Sequence, residues 1–293
     1  MIYKELGPTG VKVSAIGLGG MPMSLKGRPR EEQSIRVIHR ALDLGVTLID
    51  TADSYCQDES DKHHNERLIA KALKSRGAAS SAPTQEIIVA TKGGLMRPGG
   101  DWVTNGDPKH IARTIRESFE ALGGERPIAL WQLHAPDDRY LIEETLRPVK
   151  EAVDEGLIRF VGLSNVSVEE IRRARKIVDI VSIQNRYNPW CRDPEKDGVL
   201  AYCEKEKLTF LPWSPLGGSY RVGQIGQIPV FQEISQKRTV SPYQVVLAWL
   251  MAKSPCVVPI PGASRVESIE DSVKAAEMTL SVEEIRQIDK AIT

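Results

Sequence analysis

Residues 31–55 read EEQSIRVIHRALDLGVTLIDTADSY, and this stretch decides the fold. Its first half places Ile35, Ile38, Leu42 and Val46 at helical spacing, so 31–44 is expected to be an amphipathic helix. Its second half carries the strand-like run VTLI, three of whose four residues are apolar, and then turns ionic at Asp50, as a buried strand of a parallel sheet would. The same alternation recurs along the chain. Further strands are expected at 15–18, 87–90, 128–133, 159–163, 180–183, 208–211 and 256–260. Helical patterns fall at 65–74, 108–122, 141–155, 168–177, 194–205 and 241–253, and a last short helix at 281–292. Ser167-Val-Glu-Glu and Ser281-Val-Glu-Glu carry helix-start chemistry, with acids in the first turn. Eight strands alternating with helices and no break in composition predict a single (β/α)8 TIM barrel over residues 1–293. A short N-terminal β-hairpin (IYKEL, turn at Gly7-Pro8-Thr9-Gly10, VKVSA) precedes it, and extra C-terminal helices follow. An open doubly wound sheet would need a dinucleotide fingerprint. Gly17-Leu-Gly19-Gly20 is glycine-rich, but Met21-Pro22 follows where that motif needs a helix.

Length and composition agree with one α/β barrel. The chain has 293 residues, is 41% hydrophobic, and balances 39 Lys+Arg against 39 Asp+Glu. Zero net charge gives no pointer to nucleic acid or to an anionic membrane as partner. Cys56, Cys191, Cys203 and Cys256 are scattered without a CxxC pair, which suits reduced thiols better than disulfides or zinc. The opening MIYKELGPTG lacks an apolar signal core and no run approaches a membrane span, so a cytoplasmic protein is expected. GAASSAPTQ at 77–85 reads as a polar surface loop.

Four side chains stand at or just past the ends of these strand-like runs: Asp50, Tyr55, Lys92 and His134. Singly, three of them have an ordinary explanation: Asp50 as a helix cap or loop acid, Lys92 as a solvated surface charge, His134 as a hydrogen-bonded loop residue. Jointly, after successive strands, they would meet at the C-terminal end of a barrel, where active sites form. Lys92 would lower the pKa of the Tyr55 phenol and make it a better general acid. Asp50 would keep Lys92 charged and oriented, and His134 would hydrogen-bond a substrate carbonyl. Such a cluster protonates a carbonyl oxygen while hydride reaches its carbon, and a nicotinamide is the natural hydride source.

At this point the chain resembles the aldo-keto reductase superfamily over nearly its full length. The carriers are GVTLIDTADSY (45–55), Lys92 in ATKGG, His134 in LWQLH, Gly162-Leu-Ser164-Asn165, and Ile183-Gln184-Asn185-Arg-Tyr-Asn188-Pro189. The resemblance implies that Asp50, Tyr55, Lys92 and His134 form the catalytic tetrad. It also implies that Ser164, Asn165 and Gln184 hold the nicotinamide carboxamide and that Trp213 stacks on the ring. Gly20, Met21 and Asp50 would border the cofactor. The loop SPLGGSYR would follow the pyrophosphate through Ser214, Leu216, Gly218 and Arg221, with Gly217 also permitting close approach. Ser264 and Arg265 in IPGASR would meet an adenosine 2′-phosphate, and Ser268 and Asp271 the adenosine. NADPH (NADP+) is therefore expected rather than NADH, although Gly262 stands where the family often has lysine.

The resemblance implies a small-molecule carbonyl substrate, with pyridoxal, small aldehydes, ketones and quinones as candidates, since the motifs look closest to bacterial-type members including pyridoxal reductases. Tyr55, Met96, Trp102 and Trp190 are expected near it. The loop CQDESDKHH (56–64) is longer than the family's usual connection, and its paired His63 and His64 are read as solvated, with no metal site. The short stretch after the last helix predicts an open pocket. A monomer or weak homo-oligomer is expected. The alternative is a cofactor-sensing regulatory binding subunit with little turnover, against which the absence of an N-terminal arm counts. A hydrolase or isomerase using Asp50 and His134 leaves the cofactor-like motifs unexplained.

Overall fold

The computed structural model describes residues 1–76 and 86–292, so the expected loop at 77–85 lies outside the described residues. The chain opens with the expected hairpin, β1 (Tyr3–Glu5) against β2 (Lys12–Ser14). The parallel sheet follows as β3 (Leu18–Gly19), β4 (Leu48–Asp50), β5 (Ile88–Gly93), β8 (Ile128–Leu133), β9 (Ile158–Ser164), β10 (Ile180–Gln184) and β11 (Thr209–Phe210), in that spatial order. A small antiparallel pair, β6 (Leu95–Met96) with β7 (Val103–Thr104), projects beyond β5. The helices are α1 (Glu31–Asp43), α2 (His64–Arg76), α3 (Pro108–Ala121), α4 (Ile142–Asp154), α5 (Val168–Ala174), α6 (Asp193–Lys196), α7 (Val199–Lys205), α8 (Gly218–Arg221), α9 (Pro229–Arg238), α10 (Pro242–Lys253), α11 (Val266–Lys274) and α12 (Val282–Ala291).

Seven parallel strands are formed, and the expected eighth is not a regular strand. After a turn at Pro255-Cys256, residues 257–262 run between β11 and β3. Val258 N donates to Phe210 O on one side; Gly17 N and Gly19 N donate to Pro259 O and Pro261 O on the other, each at 2.9 Å. Pro259 and Pro261 accept from β3 but have no N–H to return, so only isolated bridges form. The expected helix at 194–205 is likewise two, α6 and α7, separated where Gly198 takes φ +83°.

Side-chain alternation divides the core into layers. Leu48, Ile88, Ala90 and Leu130 point inward, where they meet Val181, Leu211, Val258 and Ile260. Ile49 faces outward under α1 and α2 with Val37, Ile38 and Leu42. The hairpin plugs the end where the strands begin: Leu6 and Val13 join the inner core, and Gly7 N donates to Thr209 Oγ1 at 2.7 Å. Gly7 adopts φ +55° there, and any Cβ would strike the Val181 carbonyl oxygen, so glycine is required. The opposite end, where the strands finish, is left for polar residues. Among the described residues no helix is long and apolar enough to cross a membrane.

Candidate active site

The inward parity that buries Leu48, Ile88, Ala90 and Leu130 carries on to Asp50, Lys92 and Gln132 at the strand ends. His134 lies one position beyond β8. Lys92 is wholly buried and its ammonium has three partners. It lies 2.7 Å from Asp50 Oδ1 and 2.8 Å from Oδ2, and donates to Thr51 O at 2.8 Å and to Tyr55 Oη at 2.9 Å. Tyr55 in turn reaches Asp50 Oδ2 through a long 3.4 Å contact. The His134 ring stands edge-on to Tyr55, with centroids 5.7 Å apart, and its Nδ1 is 3.3 Å from Ser54 Oγ. The four predicted residues therefore converge in one buried cluster.

Its electrostatics correct one expectation. The Tyr55 pKa is not lowered but raised well above its ordinary value, by burial and then by the Asp50 charge. Asp50 offsets Lys92, so the phenol experiences desolvation rather than a free cation. Burial pulls Lys92 down against the opposing pull of Asp50. His134 falls well below its ordinary value, through burial and the neighbouring ammonium, and is neutral at physiological pH. The phenol thus keeps its proton and the imidazole is uncharged.

Beside this cluster stand the carboxamide candidates. Ser164 and Gln184 are register partners on β9 and β10, and Gln184 Nε2 donates to Asp50 Oδ1 at 2.8 Å. Asn165, at φ +58°, donates to His134 O at 2.9 Å and accepts from Trp213 Nε1 at 3.0 Å, fixing the indole by its edge. A Cβ on Gly20 would strike Asn65 Oδ1, and Gly20 N donates to Asp50 O at 2.8 Å; Met21 starts the next turn. Ser214 takes φ +47°, and Asn188 Nδ2 donates to its carbonyl at 3.0 Å. Leu216 packs on the main core, and Gly218 and Arg221 bound α8. Arg265 is exposed at the N-cap of α11, Gln33 Nε2 holds Ser264 O at 2.8 Å, and Ser268 lies in the helix's first turn. Asp271 is turned toward α10, accepting from Ser241 Oγ at 2.6 Å and Gln244 Nε2 at 2.5 Å.

The substrate candidates separate. Trp102 is 45% exposed and edge-on to both Tyr55 (6.4 Å) and His134 (6.1 Å), so it borders the cluster. Met96 lies at the β6–β7 pair, its Sδ 3.3 Å from Asn105 Nδ2. Trp190 instead backs the loop at Gly217, with the Arg221 guanidinium 5.4 Å from its ring centre. His63 and His64 are not solvated loop residues: His63 Nδ1 bonds Glu66 at 2.5 Å, and His64 Nδ1 bonds Ser24 Oγ at 2.8 Å. Among the described residues no cluster of three or more His, Cys, Asp or Glu is arranged for a metal ion.

Sequence reasoning assigned nothing to Ser54, Asp53 or Arg97. Asp53 is fully buried with neither carboxylate oxygen hydrogen-bonded, and its pKa is raised to about 7, chiefly by burial. Arg97 stacks its guanidinium 3.9 Å from the Trp102 ring centre. Asp53 and Ser54 lie inside the quoted DTADSY stretch, so their position was visible; Arg97, in a turn before Pro98-Gly99-Gly100, carried no signal.

A model of the aldo/keto reductase family matches residues 15–293. An uncharacterised oxidoreductase of Schizosaccharomyces pombe is 36% identical over 283 residues, covering 95% of this chain and 86% of the relative. A probable aldo-keto reductase of Glycine max is 29% identical, covering 98% and 88%. A thermostable aldo-keto reductase solved with the inhibitor epalrestat superposes with a TM-score of 0.82 at 32% identity, covering 99% of this chain and 100% of that one. The chain belongs to the aldo/keto reductase family and is an NAD(P)H-dependent oxidoreductase of the class that acts on carbonyl compounds.

Proposed function

We propose that the chain reduces aldehydes or ketones to alcohols with NADPH, and that Tyr55 gives the proton to the carbonyl oxygen. The supporting observation is the Lys92 ammonium, bonded at once to Asp50, Thr51 O and Tyr55 Oη within 2.9 Å. Because Lys92 donates to Oη, the phenol's own proton is held only by the 3.4 Å contact to Asp50 and can turn to a substrate oxygen. A developing alkoxide is more basic than a phenolate, so even a phenol of raised pKa gives up its proton to it. The phenolate left behind is stabilised by the ammonium already in place. In this reading Ser54 Oγ donates to Nδ1 of neutral His134 across 3.3 Å, which puts the ring proton on Nε2, where it donates to the carbonyl oxygen.

When bound, a reduced nicotinamide supplies the hydride. The residues fit such a group. Among the described residues the Ser164 hydroxyl proton has no acceptor and Gln184 Oε1 has no donor. A free donor beside a free acceptor complements a primary carboxamide. In this reading Trp213 offers its face to the ring; Gly20, Met21, Ser214, Leu216, Gly218 and Arg221 line the path of the pyrophosphate. Ser264, Arg265 and Ser268 receive the adenosine phosphate at the start of α11, while Asp271 anchors that helix to α10. Four free cysteines suit a reducing, cytoplasmic setting, and small aldehydes, ketones, quinones and pyridoxal form the substrate set. The test follows NADPH absorbance with an activated aldehyde and with pyridoxal. Saturable oxidation that Tyr55→Phe abolishes is expected, and a wild-type protein that binds NADPH yet reduces nothing across a broad panel refutes the proposal.

A further inference from the structure

We infer that Arg97 is a specificity-determining residue that selects carbonyl substrates carrying an oxyanion, a carboxylate or a phosphate, at the far side of Trp102. This rests on the carbonyl-reductase reading of the same site. Arg97 is only 6% exposed, and its Nε and Nη1 are buried with no hydrogen-bond partner. Nη2 donates to Gln57 O at 3.3 Å. Glu59 approaches, but the group its Oε1 accepts is Arg97's backbone N–H, and the guanidinium has no ion pair among the described residues.

A guanidinium cannot shed its proton to escape burial, so Arg97 stays charged. A buried charge without a hydrogen-bonded counter-charge is costly, and other cations of the chain are paired with carboxylates. Lys92 has Asp50, Arg28 has Asp61 and Arg139 has Asp137. The Cys56 thiol nearby is pushed up to about 12, mainly by burial, and so supplies no negative charge. Asp58 feels this cation only through space, and the guanidinium is also close to the chemistry. Its Cζ lies 3.9 Å from the Trp102 ring centre, and that ring stands edge-on to Tyr55 and His134. A substrate whose carbonyl meets Tyr55 and His134 must pass its remaining atoms near Trp102, the exposed member of the group. An anion that gains access there would complete the hydrogen bonding that Nε and Nη1 lack in the protein.

The test compares 4-formylbenzoate and 4-formylphenyl phosphate with the neutral methyl 4-formylbenzoate, in wild type, Arg97→Met and Arg97→Lys. Affinity in the presence of NADP+ is read by calorimetry, and kcat/KM with NADPH is read in parallel. The ester is intrinsically the more electrophilic aldehyde, so reactivity alone favours it. In wild type at least one anion is expected to bind about tenfold to a hundredfold more tightly than the ester, as a charge-assisted hydrogen bond permits. The phosphate and carboxylate arms show which oxyanion is preferred. Arg97→Met should collapse the anion-to-ester ratio and Arg97→Lys should retain part of it; a ratio within one protein cancels general losses of activity. Equal affinity for ester and both anions in wild type overturns the inference without any variant. So does a ratio unchanged in Arg97→Met. Anion-selective binding with no turnover of any aldehyde would uphold Arg97's selectivity and refute the reductase reading instead.

Discussion

Gln184 Nε2 donates to Asp50 Oδ1 at 2.8 Å, a buried bond across the barrel between β10 and the end of β4. Because Lys92 lies on the same carboxylate, Asp50 links the group proposed to donate the proton to the group proposed to receive the carboxamide. Two of its three side-chain partners, Lys92 on β5 and Gln184 on β10, sit on other strands, so the geometry depends on the curled sheet rather than on any local motif.

Tyr55→Phe removes one oxygen and keeps the ring that packs against Trp102 and His134. Turnover should fall by about 10²–10⁴-fold, the range of a lost general acid. NADPH affinity, measured by fluorescence titration, should hardly change, because no carboxamide or phosphate candidate contacts the phenol. Near-normal turnover would remove Tyr55 from the proton-donor role.

Lys92→Met leaves Asp50 charged, buried and short of its main partner. Breaking one side of a buried pair costs about 3–5 kcal/mol, so urea denaturation should show a loss of that order. Adding Asp50→Asn removes the orphaned charge and should recover much of the loss. A double variant no more stable than Lys92→Met would mean that the pair is not the source of the cost.

Much of this site is legible in the sequence because period-two alternation carries inward parity from Leu48 to Asp50 and from Ala90 to Lys92. The strands themselves announce which polar residues end up inside. What is not legible depends on partners far away in sequence. The upward shift at Tyr55 needs the full burial of the cluster and the placement of Asp50 beside Lys92. His63 in a polar CQDESDKHH loop reads as solvated, yet φ +63° turns its ring onto the buried Glu66. The eighth strand reads as an apolar run, CVVPI, but Pro259 and the following Pro261 cannot complete a ladder. Arg97 acquires meaning only when Trp102 folds over it.

Asp53 predicts a pH dependence of stability. Lys62 Nζ is 3.9 Å away, His63 and Glu66 also face it, and burial raises its pKa to about 7. An unfolded aspartate titrates near ~3.9, so between about pH 4 and 7 the folded chain binds the extra proton. Stability from this group is full below about pH 4, falls as pH rises, and is flat above about 7. Asp53→Asn mimics the protonated form and should flatten the dependence in that window, with its advantage over wild type greatest at about pH 8. Chemical denaturation at several pH values checks this, and parallel curves for the two proteins would exclude Asp53 as the titrating group.

Arg265 is the residue proposed to carry the cofactor preference. It is exposed at the N-cap of α11, has no ion-pair partner among the described residues, and stands beside the first-turn amides that favour an anion. NADPH differs from NADH by one phosphate, so a residue that meets that phosphate alone must separate the two cofactors. Losing a charge-assisted hydrogen bond costs about 1.5–3 kcal/mol, or about tenfold to a hundredfold in affinity. Arg265→Ala should weaken NADPH by that factor and leave NADH nearly unchanged, read as dissociation constants at fixed ionic strength. Added salt should narrow the wild-type preference, since an exposed contact is screened. Equal losses for both cofactors would instead assign Arg265 to the fold of α11, because a distorted helix start cannot tell the two apart.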